Sequence, residues 1–315
     1  MDVNKEILNL NWDREPYGLY EPIEYTLAAG GKRVRPQLAM IACQLFGGKD
    51  EEVLPAALAL EVFHNFTLLH DDVMDKADVR RGRPTVHVKW NENTAILSGD
   101  QMLIEAYKLL SGVPRRKLAK VLEMFNDMAT EICEGQQYDM DFETMDKVKE
   151  YQYFEMIRKK TAELLGYALK IGAYIAGAKK KEQDLLYSFG IGIGLAFQLQ
   201  DDILDVWGDP KTFGKAIGGD ICCNKKSIVS ITALEIADEE SRKELNYWFG
   251  QTLEDNTEKI AKVTAIYDRL GVRERCEKGV ERLIDDALLS LSMMPQNAAT
   301  EQLRQLADKL NKRKN

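Results

Sequence analysis

Histidine is nearly missing from this 315-residue chain, with three copies (His64, His70 and His87), and cysteine is scarce, with five. Scattered histidines and no paired cysteine spacing exclude the ordinary zinc frameworks. An odd number of cysteines, with Cys222 beside Cys223, suits no disulfide scaffold, so reduced thiols and a cytoplasmic location are expected. Proline and glycine are sparse, at 8 and 22 residues, and no Pro-, Gly- or Ser-rich linker divides the chain. A single domain over 1–315 is therefore expected, although the length would allow two. Basic residues are outnumbered, 43 against 51, for a formal net charge of −8. That balance excludes a general nucleic-acid binder, which needs a basic footprint. The N-terminus shows no basic-then-apolar signal pattern. The most apolar stretch, 164–178, contains Lys170 and falls short of the ~20 apolar residues of a membrane span, so no stable membrane insertion is expected.

Strand signals are nearly missing as well. Thr85–Val88 is the one brief alternating run, and no Asn-Gly or Asp-Gly hairpin turn occurs. What is present is the amphipathic-helix period, in segments 52–75, 92–111, 115–140, 147–178, 182–207, 226–236, 238–268 and 272–292. Gly47-Gly48 closes a preceding helix, and Pro55 fits a first helical turn. The longest loop candidate is 209–224. With 45% apolar and 30% charged residues, this reads as an all-α chain, a bundle of long, mostly antiparallel helices around a deep central cavity.

Two acidic clusters end apolar helical runs. The first, in LLHDDVMD, is Asp71, Asp72 and Asp75. The second, in FQLQDDILD, is Asp201, Asp202 and Asp205. Residues four apart share a helix face, so Asp71 projects with Asp75 and Asp201 with Asp205. Three carboxylates within about 6 Å of helix rise repel one another unless a cation neutralises them. One such cluster in an acidic protein is usually just a helix ending in water; two at equivalent positions are better explained as magnesium sites. Magnesium takes one or two carboxylates together with a substrate's phosphate oxygens.

Cations are concentrated in particular places: Lys32, Arg33 and Arg35 in GGKRVRP, Arg80 and Arg81 directly after the first cluster and before Gly82, Lys159 and Lys160, which with Thr161 interrupt a helical pattern, Lys215 in FGKAIGGD after the second cluster, then Lys225 and Lys226. Arginine grips phosphate through two N–H groups at once, and lysine acts as a point charge. No GxxxxGK[ST] or GxGxxG follows a strand, which excludes the common nucleotide folds. No Ser–His–Asp or Cys–His spacing supplies a nucleophile. A diphosphate substrate in an apolar helical cavity fits these residues, because loss of diphosphate from an allylic carbon needs charge stabilisation and dryness rather than a nucleophile.

GGKRVRP, HDDVMD, RRGRPT, KKTAELL, FQLQDDILD and FGKAIGGD occur in the order of one family, and over nearly its full length the chain resembles the trans-isoprenyl diphosphate synthases, or polyprenyl synthetases. The resemblance implies an all-α homodimer that condenses an allylic diphosphate with isopentenyl diphosphate using magnesium. It implies magnesium ligands among Asp71, Asp72, Asp75, Asp201, Asp202 and Asp205. Arg80, Lys160 and Lys215 would contact the allylic diphosphate; Lys32, Arg35, His64 and Arg81 would form the isopentenyl diphosphate site. Thr161 and Gln198 would lie near the developing cation, and either Lys225 or Lys226 would add a charge. His70 is left with a structural role.

In this family large residues just before the first cluster resemble a tunnel floor. Here those positions are Phe66 and Thr67, a pattern that resembles the short-chain makers of geranylgeranyl diphosphate; fifteen and twenty carbons both stay open. Rival readings are a longer-chain synthase, a terpene cyclase, a squalene-type synthase and a non-catalytic partner subunit. Cyclases usually lack a second intact DDxxD, squalene-type enzymes need no isopentenyl site, and partner subunits typically lose carboxylates that this chain keeps.

Overall fold

A computed structural model describes residues 1–209 and 217–311. The all-α expectation holds: among the described residues the only strands are β1 (Val79–Arg80) and β2 (Arg83–Pro84). Backbone proximity groups the chain into two compact units.

The first unit comprises 1–126, 167–187 and 297–299. Its helices include α1 (Val3–Leu8), α2 (Tyr17–Ala28), α3 (Val34–Leu45), α4 (Asp50–Met74), α5 (Val86–Lys89) and α6 (Glu92–Leu110). At the centre, α4 packs against α3 and α6. Ala56, Ala57 and Ala59 let its neighbours approach, while Leu60, Val62, Phe63 and Leu69 fill the space between. Acidic Asp50, Glu51 and Glu52 occupy its first turn, where the helix dipole favours negative charge. The helix begins two residues earlier than its apolar period suggests, so Pro55 lies inside it rather than in its first turn. By length and composition α4, not 164–178, is the described helix able to cross a membrane, yet most of its apolar window is buried.

Three local expectations change. Thr85–Val88 is no strand: Thr85 precedes the short helix α5. The strands lie just before it, pairing Val79 with Pro84 and Arg80 with Arg83. Their two-residue turn has positive φ at both Arg81 (53°) and Gly82 (72°). That is the mirror-image turn that suits strand twist, built on Arg-Gly instead of Asn-Gly. Helices α1 and α2 also escape the periodicity, α2 because Pro16 and Pro22 interrupt it.

The second unit comprises 127–166, 188–296 and 300–315. The helices α7 (Arg115–Thr144), α8 (Glu150–Ile157), α9 (Glu163–Ala176) and α10 (Lys180–Trp207) supply it with residues. They are followed by α11 (Gly219–Cys222), α12 (Ile228–Ile236), α13 (Glu239–Phe249), α14 (Thr257–Leu270), α15 (Val272–Ser292) and α16 (Ala298–Asn311). The expected run 238–268 divides into α13 and α14 around 250–256, where Gly250 follows α13 and Asp255 holds the Thr257 amide at 2.9 Å. The expected run 147–178 is not one α-helix either. Between α8 and α9 lies one wider turn of π-helix, Arg158–Ala162.

Candidate active site

In the first unit, α4 carries the first acidic cluster to its C-terminal end. Asp71 is half-buried, Asp72 buried and Asp75 exposed. The hairpin turns back so that Arg80 Nε donates to Asp72 Oδ1 at 2.7 Å. Burial pushes the Asp72 carboxyl up, and Arg80 opposes it. Arg81 reaches across the turn and donates to the Gly30 carbonyl, which joins GGKRVRP to RRGRP.

His64, two turns before Asp71 on α4, lies among arginines. Burial holds its pKa well below the usual imidazole value, and Arg35, Arg81, Arg80 and Arg33 push it further down. Arg35 is itself lowered to about 10 by burial, against the pull of Glu61. Arg80 and Arg33 are paired with Asp72 and Glu61, but Arg35 and Arg81 add positive charge around a neutral imidazole, an arrangement that favours an anion. Lys32 stands exposed at the same turn. The sequence-predicted isopentenyl diphosphate residues Arg35, His64 and Arg81 are therefore brought together.

Phe66 is half-buried, with its ring 5.5 Å from Phe63 and 4.8 Å from His70. Thr67 returns its hydroxyl to the His64 carbonyl at 2.8 Å, an ordinary intrahelical bond. His70 has the structural place expected of it, 3.0 Å from the Ile96 carbonyl.

In the second unit, the π turn presents Lys160 and Thr161. A single π turn carries an extra residue and is common at functional sites. Glycine makes room for it. A Cβ at Gly135 on α7 would fall on the Lys160 backbone nitrogen and 2.7 Å from its Cα, and one at Gly194 on α10 would fall 2.5 Å from Ala162 Cα. Below it, Lys159 is buried against Glu131 (2.6 Å) and Glu134 (2.5 Å). Lys160 Nζ points to Asp139 at 2.5 Å, so its charge is held ready and oriented rather than loose.

Thr161 Oγ1 donates to Gln198 Oε1 at 3.3 Å, and Gln198 Nε2 donates to Asp202 Oδ1 at 3.1 Å. Asp202 Oδ2 accepts from the Tyr153 hydroxyl (2.5 Å) and the Ile228 amide (3.0 Å). Asp202 is buried with both oxygens hydrogen-bonded inside the unit, where it braces α10. Burial, reinforced by Asp220, raises its carboxyl to about 7. Asp205 Oδ2 accepts the Asp220 amide at 2.9 Å, tying α10 to α11. Lys225 is exposed and adds positive charge toward Asp202, whereas Lys226 is half-buried. Lys215 lies outside the described residues.

The donor set discriminates between two kinds of metal site. Among the described residues, no three His, Cys, Asp or Glu side chains converge closely enough to cage an ion alone. The pairs Asp71 with Asp75 and Asp201 with Asp205 offer hard oxygens one helical turn apart. Such pairs fit magnesium completed by water and substrate phosphate, not a protein-only cage. Several participants escaped the sequence reading: Tyr153, Asp139, Asp220 and Glu61. Of these only Glu61 left a signal, as a lone charge within the apolar run ALALEVFHNF.

Residues 16–269 match the family described as polyprenyl synthetase. The geranylgeranyl diphosphate synthase of Methanosarcina mazei is 45% identical over 70% of this chain and 68% of its own length. The geranylgeranyl pyrophosphate synthase of Geoglobus acetivorans is 36% identical over 98% of this chain and 95% of its own. A crystal structure of a geranylgeranyl pyrophosphate synthase matches with a TM-score of 0.92 and 42% identity, covering 99% of this chain and 96% of that one.

Proposed function

This chain belongs to the polyprenyl synthetase family, and from that footing we propose that it condenses an allylic diphosphate head-to-tail with isopentenyl diphosphate to give geranylgeranyl diphosphate. It is a prenyltransferase, as the relatives' names imply. One observation carries the two-substrate reading: the arginine crowd around a neutral His64 on the helix that ends in Asp71 and Asp75. A cyclase ionises a single diphosphate and has no use for a second anion site. The length of the product rests on the names of the relatives and on an aromatic at Phe66.

The C–O bond of the allylic diphosphate breaks with its electron pair leaving on pyrophosphate, and the isopentenyl double bond attacks the resulting cation and then loses a proton. Magnesium held by Asp71 with Asp75, or by Asp201 with Asp205, would neutralise a leaving diphosphate. Arg80 in the first unit and Lys160 in the second each supply a cation suited to diphosphate oxygens, and Lys215 is expected to do the same. Lys32, Arg35, Arg81 and neutral His64 bind isopentenyl diphosphate. The Thr161 hydroxyl and the Gln198 amide oxygen turn lone pairs toward positive charge, a fixed dipole arrangement that costs no reorganisation during the reaction. Lys225 contributes a further positive charge.

We read the enzyme as a homodimer, because α6 leaves Ile96, Leu97, Ile104 and Tyr107 exposed (44%, 59%, 51% and 38%). A cytoplasmic location is supported by five free cysteines.

Purified protein given magnesium, labelled isopentenyl diphosphate and each allylic primer should yield a twenty-carbon product on chromatographic sizing. No incorporation with any primer would overturn the reading. Arg35→Ala should raise KM for isopentenyl diphosphate at least tenfold, since a charge-assisted contact is worth ~1.5–3 kcal/mol. Lys160→Ala should act chiefly on the allylic substrate. Equal effects on both substrates in both variants would mean the two sites are confused.

Phe66→Ala should lengthen the product by about one five-carbon unit or more. Its stability cost should stay below the ~3–5 kcal/mol of a fully buried ring, because the Phe66 ring is only half-buried. Unchanged product with a large fall in melting temperature would make Phe66 an ordinary core residue.

A further inference from the structure

We propose that Glu61 is a positioning residue for the isopentenyl diphosphate site, setting the pose of Lys32 and Arg35 through two separate oxygens; this rests on the reading above. Glu61 is 2% exposed, one turn before Asn65 on α4. Its Oε1 accepts from Arg33 Nη1 at 2.7 Å and from Asn65 Nδ2 at 2.9 Å. Arg33 is buried too, and its remaining Nη donates to the Leu27 carbonyl.

Arg33 has φ 47°, in the left-handed region that a bulky side chain avoids. Such a conformation persists only where the surroundings over-determine it. Here two buried anchors, Glu61 and Leu27, do so. The kink at Arg33 fixes the direction in which Lys32 leaves on one side and the first turn of α3, bearing Arg35, begins on the other. Neither of those cations touches Glu61 Oε1. They depend on it through the backbone.

The second oxygen acts differently. Glu61 Oε2 is buried without a hydrogen-bond partner, and so is Arg35 Nε. An unmade bond on a buried polar atom is costly, and more so on a charged group. The two atoms are a matched acceptor and donor, and the charge of Glu61 already favours the ionised form of Arg35. An anion that draws the outer N–H groups of Arg35 into line would let Nε close on Oε2, so that substrate binding completes the pair. Glu61 thereby couples the two arginines of one sequence motif, the first as anchor and the second as ligand.

Glu61→Gln separates these roles. It keeps an oxygen for Arg33 and turns the second position into a donor, which cannot accept from Arg35 Nε. The expected result is a rise of about tenfold in KM for isopentenyl diphosphate. The allylic KM should stay within about twofold, and kcat at saturation should be near that of the parent. A parallel loss in both KM values and kcat, tracking melting temperature, would reduce Glu61 to a fold residue and overturn the proposal. Should Glu61→Gln melt early, the double variant Glu61→Gln/Arg33→Met removes the buried pair together. Recovered melting temperature with KM still raised supports positioning; recovery of both overturns it. Arg35→Ala is measured alongside. If it leaves KM for isopentenyl diphosphate unchanged, the site assignment itself has failed. If it raises KM while Glu61→Gln does not, only the role of Glu61 is refuted.

Discussion

Asp71→Ala and Asp201→Ala should each lower condensation by about a thousandfold or more, since a lost metal ligand forfeits several kcal/mol of charge stabilisation on the leaving diphosphate. The fold should survive. Asp71 sits half-buried in the last turn of α4, beside buried Asp72 and four residues before exposed Asp75, and removing one of three clustered carboxylates relieves like-charge repulsion. Melting temperature without metal should therefore hold or rise, and the stabilisation that added magnesium with pyrophosphate confers on the parent should shrink. Differential scanning fluorimetry and single-turnover assays read the two effects. Turnover near that of the parent in both variants would remove the magnesium assignment.

The second large effect is expected from Gly135→Ala, which alters no charge. The added methyl would meet the Lys160 main chain, which cannot move aside as a flexible side chain could. Overpacking of this kind typically costs about 1–3 kcal/mol. A shift of the π turn by ~1 Å would displace Lys160 and Thr161 together, enough to lower kcat about a hundredfold. Gly18→Ala on α2 is the control, because a Cβ there meets open space and alanine favours the helix. If both variants keep parental kcat, the close approach at Gly135 has no catalytic meaning.

The parts of this enzyme that sequence alone made legible are those written in short-range periodicity. The end of α4 is an example: Asp71 and Asp75 share a face because they are four residues apart, and an apolar run leads up to them. The arginine crowd was legible only as composition. Its geometry depends on Arg81 crossing to Gly30, 51 residues away, and on a mirror-image turn at Arg81-Gly82 that lacks the usual Asn or Asp signal. Asp202 shows the same limit. Identical in type to Asp201, it is tied into its unit by a hydroxyl 49 residues before it and an amide 26 residues after it. The π turn left only a trace, the interruption of the helical pattern at Lys159, Lys160 and Thr161, because one extra residue shifts the phase of the apolar period without ending it.

That extra residue acts on the helix as a frameshift acts on a message. Up to Ile157 the side chains keep one phase. From Glu163 onward each is turned by about 100°, the angle of a single residue, relative to an uninterrupted α-helix. Deleting one residue within 158–162 would leave a good helix-forming sequence, and α8 and α9 would fuse into one regular rod. Either α9 would then bury the wrong face or Lys160 and Thr161 would swing off their mark. Length in this stretch is thus held as tightly as chemistry: a lineage could exchange many side chains here, but could not lose a single codon without choosing between its core and its catalyst.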